Sequence, residues 1–247
     1  MQPANQMDKR SSLWNTGRNC NIATVAIDGF LDTQASADQI SSLEVAEAIR
    51  SLDLKNKDAV LFLIDSPGGL PPAAEEISRA IKELPLPTVA FVRGSALSGG
   101  YWVAASTGHI TALETASVGS IGVTSSYLDE TELNRKEGYT YQEITSGPYK
   151  EVGNVAKPLT EESKKYLTGL TDDLFRIFAK EVMQDRKLSE EQFALVADAK
   201  SYIAKKALDL GLIDQIGGMT EVRGYLADKT GLPEEDLAIC EPVRYRD

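Results

Sequence analysis

Apolar residues fall in short solid runs through the first half of this chain and in helical stripes through the second. The run at 59–64, AVLFLI, is wholly apolar, which predicts a central parallel strand covered on both faces. Runs at 21–29 (NIATVAIDG) and 88–93 (TVAFVR) predict two further strands. Between them, Leu43, Val45, Ala46, Ile49 and Leu52 recur at helical spacing over 39–52. Ile77, Ala80, Ile81 and Leu84 do the same behind Pro71 and Pro72, which suit a first helical turn. A helix at 101–106, a short strand at 109–113, an apolar stretch at 118–123, a helix at 128–137 and an extended segment at 139–146 follow. Thr160 then caps a long helix, with Glu161 and Glu162 in its first turn and Leu167, Leu170, Leu174, Ile177 and Phe178 as its expected buried face. Helices are also expected at 189–198, at 201–210 (ending at Gly211) and at 219–229.

Strand and helix alternate at the start and helices dominate the end. The pattern predicts an α/β fold, a parallel sheet core flanked by helices with a helical C-terminal region. Without internal repeats or a low-complexity linker, the 247 residues read as a flexible polar leader (1–19), one domain (20–232) and a C-terminal tail (233–247).

Composition narrows the function. A net charge of −11, with no Lys/Arg cluster beside aromatics, argues against a nucleic-acid surface or a polybasic membrane patch. Cys20 and Cys240 stand near opposite ends, and no cysteine–histidine cluster points to zinc. Two unpaired thiols are favoured over a disulfide joining the ends, and the compartment stays open. No apolar run approaches the ~20 residues that span a bilayer.

Two glycine-bearing turns follow two buried strands. Ser66-Pro67-Gly68-Gly69 leaves the strand at 59–64, and Ser98-Gly99-Gly100 follows the strand at 88–93. Parallel sheets place ligand sites at the carboxyl ends of their strands, and glycine lets backbone N–H groups face a ligand or an oxyanion. Taken alone, the first motif is an ordinary strand–helix turn and Ser98 an N-cap serine; their convergence on one sheet edge favours a site. A nucleophilic serine needs a base, and His109 is the one histidine of the chain. It lies at the start of a short strand, where a surface role outweighs a triad role. The alternative base is Lys150, 52 positions after Ser98, behind Gly147-Pro148-Tyr149, whose aromatic ring is suited to excluding water. A lysine serves as base only when desolvation or nearby positive charge brings its amine below the usual ~10.4.

Four motifs in order, DSPGG at 65–69, SGGY at 98–101, GSIGV at 119–123 and SGPYKE at 146–151, resemble the signal peptide peptidase A family. These are serine–lysine peptidases of the Clp/crotonase fold, and the resemblance covers about residues 20–230. It implies Ser98 as nucleophile, Lys150 as general base and Ser120 as the hydroxyl that orients the lysine. It also implies an oxyanion hole from the N–H groups of Gly99 and Gly69, with Gly68 as a less certain donor. No metal or organic cofactor is implied. The expected substrates are extended apolar peptides such as cleaved signal peptides, and the expected partner is a second copy of the chain in a ring or dome, where a neighbour can complete the site. The family is often membrane-anchored with its domain outside the cytoplasm. Leu70-Pro71-Pro72 departs from the small or polar residues expected there and is read as reshaping the groove. The competing readings are a crotonase-like acyl-CoA enzyme, which needs acidic groups absent at these positions, and a non-catalytic peptide-binding scaffold.

Overall fold

The computed structural model describes residues 20–36 and 39–243; the leader expected at 1–19 lies outside them. The elements are β1 (Ile22–Asp28), β2 (Phe30–Asp32), β3 (Gln39–Ser41), α1 (Ser42–Arg50), β4 (Ala59–Ser66), α2 (Pro71–Lys82), β5 (Thr88–Leu97), α3 (Gly99–Ala105) and β6 (His109–Ala112). They continue with β7 (Ser117–Gly119), α4 (Thr131–Lys136), α5 (Glu161–Arg186), α6 (Glu190–Ala194), β8 (Ser201–Ile203), α7 (Ala204–Asp209), β9 (Gln215–Ile216) and α8 (Met219–Thr230).

Strands β1, β4, β5, β6 and β9 lie side by side, all parallel. Helices α1, α2 and α3 pack over one face, where Val45, Ile77 and Tyr101 meet Val25, Phe62 and Val92. A second cluster, formed by Leu61, Leu63, Val89 and Phe91 with Val222 and Leu226 of α8, covers the other face. Double coverage explains why β4 is apolar almost throughout, with Ala59 to Ile64 all buried.

β5 is longer than its apolar run and is shared between two neighbours. Val89–Val92 pairs with β6, and Ser95–Leu97 pairs with β7. The changeover is an irregularity: Ile64 faces Val92, yet Ser66 faces Ala96. Asp65 holds it by accepting from both the N–H (2.9 Å) and the hydroxyl (3.0 Å) of Ser95. A Cβ on Gly94 would lie 2.6 Å from that carboxylate, so a larger residue there would push the Asp65 side chain out of its bond to Ser95.

Four expectations are corrected. Residues 139–146 form no strand, and the segment is exposed. The helix expected at 201–210 begins as β8, antiparallel to β7, before α7 starts. The long helix α5 buries only Phe178, Ala179 and Val182; Leu170, Leu174 and Ile177 are exposed, and Leu167 is half-buried. Cys20 and Cys240 form a disulfide, with Cα atoms 5.1 Å apart. The bond has a clear structural setting. Residues 238–243 run beside β1, with Cys240 N–H donating to Ile22 O and Val243 N–H to Thr24 O, each at 2.9 Å. The segment read as a tail therefore packs on the sheet, and Leu237 and Ile239 are buried. Among the described residues no helix is long and apolar enough to cross a membrane.

Candidate active site

Three adjacent strands end at one edge of the sheet. Ser66 of β4 faces Ala96 of β5, and Leu97 of β5 faces Gly119 of β7. Ser98 and Ser120, the residues after Leu97 and Gly119, therefore leave neighbouring strands together. Ser98 N–H donates to Gly119 O (2.8 Å), and Ser120 N–H donates to Lys200 O (2.8 Å). The serines stand at φ 50° and 54°. Five non-glycine residues among those described have positive φ, and three of them, Ser98, Ser120 and Ala199, line the same groove. Strained backbone persists where its surroundings over-determine it, and it clusters at functional sites.

The conformation of Ser98 separates it from an ordinary cap. At φ 50°, ψ −123° its side chain makes no capping bond to α3. A cap serine takes extended backbone and accepts from the second or third helical N–H. Here the hydroxyl is left at the start of a buried helix, in a groove of about 390 Å³.

The backbone around it is set for an anion. The strip at 68–70 pairs with Leu31 of β2: Leu31 N–H donates to Gly68 O and Leu70 N–H to Leu31 O, each at 2.8 Å. Gly68 N–H is taken by the Ser66 hydroxyl at 3.1 Å. The N–H of Gly69, between two engaged ones, has no partner among the described residues. The Gly99 N–H opens α3 and has no carbonyl behind it in the helix. The two strips touch: a Cβ on Gly99 would lie 3.3 Å from Gly69 N, and a Cβ on Gly68 would lie 2.8 Å from Ser98 Cβ. Of the three donors expected from sequence, Gly69 and Gly99 have N–H groups free, while Gly68 is engaged elsewhere.

The groove walls are largely apolar. Leu70 and Pro71, the first two residues of the LPP sequence, form part of one. Phe30 flanks them, and Trp102, stacked on Phe178 of α5 with ring centroids 4.9 Å apart, contributes another side. Val123 and Ala199 complete the lining used here. Phe178 was legible only as a core residue of a helix. Ala199 carries no sequence signal; its proximity to Gly122, where a Cβ would lie 2.7 Å from Ala199 Cβ, is a tertiary fact.

Lys150 is not brought to this groove within the chain. It is exposed, in a turn where its N–H donates to Gly147 O at 3.1 Å. Tyr149 turns to α5, its ring tilted against that of Tyr166 with centroids 4.8 Å apart and its hydroxyl donating to Glu162 at 2.6 Å, which raises the Tyr149 pKa. Lys200, whose carbonyl holds Ser120, has its amine paired with Asp198 at 2.5 Å; that hydrogen bond raises its pKa and keeps it charged. His109 lies away from the groove, its ring 3.6 Å from that of Tyr225 and its Nδ1 3.8 Å from Asp214. Asp214 is in turn gripped by Arg186 at 2.7 and 2.9 Å. Among the described residues no cluster could hold a metal ion.

A mostly parallel sheet flanked by helices, with a strained serine and free glycine N–H groups at its edge, is a Clp-like fold. The structure is similar to a membrane-bound stomatin-specific protease, 1510-N, in a mutant form (TM-score 0.55, 15% identity, 91% of this chain and 93% of that one). It is also similar to a ClpP1 mutant from Listeria monocytogenes (TM-score 0.50, 16% identity, 78% and 90%). At these identities the likeness shows the fold. Residues 80–232 match peptidase family S49, and the chain belongs to that family of serine peptidases. Its relatives include a protease-like protein of Methanocaldococcus jannaschii, 35% identical over 67% of this chain and 55% of that protein. A signal peptide peptidase SppA-like protein of Enterococcus faecium is 32% identical over 64% and 47%, and the chloroplastic serine protease SPPA of Arabidopsis thaliana is 29% identical over 91% and 35%. The chain thus spans about half the length, or less, of these relatives.

Proposed function

We propose that the protein is an endopeptidase using a serine–lysine dyad, with Ser98 as nucleophile and Lys150 of a second copy of the chain as general base. The observation that carries the first half is the Ser98 hydroxyl, uncapped and held at φ 50° beside the free N–H groups of Gly69 and Gly99. The Ser98 oxygen attacks a peptide carbonyl while its proton passes to the lysine amine. The two glycine N–H groups donate to the carbonyl oxygen as it becomes an oxyanion. The C–N bond breaks, the amine leaves with the proton held by lysine, and an acyl-serine remains. Water, losing its proton to the same lysine, releases the acid and restores Ser98. Ser120, beside Ser98 on the neighbouring strand, orients the incoming amine.

A lysine from another copy is supported by two features. Lys150 is exposed and absent from the groove of its own chain. The segment that carries it is unusually apolar on its outside: Leu128, Leu133, Tyr139, Ile144, Leu170 and Ile177 are all exposed, Ile144 at 96%. Exposed apolar surface of that extent marks an interface. Burial against a neighbour would also desolvate a lysine, favouring the neutral amine a base requires. The apolar groove, flanked by Phe30 and Leu70, suits extended apolar peptides, remnant signal peptides among them. The Cys20–Cys240 disulfide favours an oxidising compartment outside the cytoplasm.

The test is covalent labelling with a fluorophosphonate, which reports an activated serine. Wild-type protein is expected to label at one serine and to hydrolyse a fluorogenic apolar peptide. Ser98→Ala is expected to lose the label and to fall on the order of 10⁴-fold in hydrolysis. Equal labelling of the two proteins would remove Ser98 from the mechanism.

A further inference from the structure

The Gly68–Gly69 turn is held from beneath by one side chain. Ser66 is fully buried at the last position of β4. Its hydroxyl donates to Gly29 O at 2.7 Å and accepts from Gly68 N–H at 3.1 Å. Both functions of the hydroxyl are thereby used, and they point in different directions. One ties the turn to the segment joining β1 to β2. The other draws the Gly68 N–H down, away from the groove. Ser66 also touches the nucleophile's helix: a Cβ on Gly100 would lie 2.8 Å from Ser66 O and 3.1 Å from its Oγ.

The two sides of the turn are therefore set by different atoms. Leu31 of β2 engages Gly68 O and Leu70 N–H, and Ser66 engages Gly68 N–H. What is left over is the Gly69 N–H, beside Gly99, where a Cβ would lie 3.3 Å from Gly69 N. Gly68 itself stands at φ +108°, a conformation open to glycine and rare for other residues, so the turn has little intrinsic preference for this shape. A peptide plane of that freedom needs an external partner to hold one orientation. Leu31 N–H, bonded to Gly68 O, anchors the plane between Gly68 and Gly69, and the Ser66 hydroxyl, bonded to Gly68 N–H, anchors the plane before it, between Pro67 and Gly68. Without the Ser66 bond that preceding plane has alternatives that turn the Gly68 N–H toward the groove and shift the strip that carries the Gly69 donor.

From this geometry we infer that Ser66 is the positioning residue of the oxyanion hole: its hydroxyl fixes the Gly68–Gly69 turn so that Gly69, and not Gly68, donates to the developing oxyanion. The inference rests on the assignment of Ser98 as nucleophile. Ser66 touches no substrate. Its contribution is to pre-aim a donor whose bond strengthens as charge develops, so it acts on the chemical step and leaves ground-state binding alone.

The experiment compares wild type with Ser66→Ala, which deletes both hydrogen bonds, and Ser66→Cys, which keeps the side chain's shape and hydrogen-bonds weakly. Steady-state hydrolysis of one apolar peptide gives kcat and KM. Affinity for a peptide aldehyde, which forms a tetrahedral adduct on serine, is measured alongside. Binding of the uncleaved peptide is measured in the Ser98→Ala background. Ser66→Ala is expected to lower kcat by roughly 10- to 100-fold, with KM within about twofold, and to weaken the aldehyde in parallel. Ser66→Cys is expected to fall between the two, and peptide binding in the Ser98→Ala background to stay unchanged. Wild-type kcat in a folded Ser66→Ala protein would overturn the assignment. So would a loss carried by KM and by peptide binding, because that is the mark of a general structural defect. Should Ser66→Ala fail to fold, Ser66→Cys decides by the same criteria. A wild-type protein that neither labels at Ser98 nor cleaves peptide would sink the peptidase reading first, and this inference with it; active wild type with indifferent Ser66 variants would sink this inference alone.

Discussion

The sheet edge and the segment at 124–177 obey opposite physical rules. At the edge, Ser98 N–H and Ser120 N–H are bonded to Gly119 O and Lys200 O, Gly68 and Leu70 are bonded to Ser66 and Leu31, and three residues of positive φ, Ser98, Ser120 and Ala199, stand together. In the segment before α5, backbone is irregular apart from the short helix α4, and tyrosines and aliphatic residues face outward. One region is complete within a single chain. The other has apolar surface but no partner for it among the described residues. The contrast teaches that the two halves of the proposed dyad are prepared differently. Ser98 and the proposed oxyanion donors, Gly69 and Gly99, are organised by folding, and the proposed base, Lys150, is to be organised by assembly.

The most severe test of that division is complementation. Ser98→Ala and Lys150→Ala are each expected to lose essentially all peptide hydrolysis. If the base comes from a second copy, mixing the two inactive proteins under conditions that exchange subunits restores a measurable fraction of activity, since some sites then pair an intact Ser98 with an intact Lys150. A mixture as inactive as its components would place both residues in one chain's site, and the contrast would fail.

A smaller effect is expected from the disulfide, which belongs to the ordered region alone. It closes a sequence separation of 220 residues and pins the 238–243 strip to β1. Cys20→Ser with Cys240→Ser is expected to cost about 2–5 kcal/mol, which corresponds to a Tm lower by roughly 5–15 °C. Calorimetry with and without reductant checks this, and an unchanged Tm would mean that the strip is held by its backbone bonds alone.

The smallest effect concerns His109. Burial lowers its pKa below the usual 6.5, against the opposing pull of Asp214 and the hydrogen bond to Gln215, with Arg186 adding to the lowering and the Tyr225 ring stacked on it. Because the folded value lies below the unfolded one, the stability tied to neutral His109 is complete above about pH 6.5 and is lost as pH falls below it through the folded value. A slight decline in Tm from pH 7 to pH 5 is expected, and His109→Phe, which keeps the ring against Tyr225, should flatten it. Activity measured at fixed folded fraction should not follow this titration, because His109 lies outside the groove. A pH profile of kcat that shifts in His109→Phe would tie the histidine to the site.

Much of the ordered region was legible from the chain. AVLFLI announced a strand covered on both faces, and the glycines after Ser66 and Ser98 announced turns at the carboxyl end of a parallel sheet. These are local signals, set by period and by backbone freedom. The extension of β5 from Gly94 to Leu97 was not legible, since it depends on Asp65 of a neighbouring strand. Nor was the outward face of α5, because Leu170, Leu174 and Ile177 repeat at helical spacing whether the surface they meet belongs to the same chain or to another.

The sequence by itself determined the α/β core, the two glycine turns, the family motifs and the shortage of any histidine base. Tertiary structure alone decided which N–H of the Gly68–Gly69 pair is free, that Cys20 and Cys240 meet, and that Lys150 stands apart from Ser98. The reason is common to all three. Periodicity reports what a residue prefers, whereas hydrogen-bond partners, disulfides and sites depend on which distant segments share a strand register. Here the pairing of Leu97 with Gly119 sets Ser98 beside Ser120, and the pairing of Leu31 with Gly69 leaves one donor open.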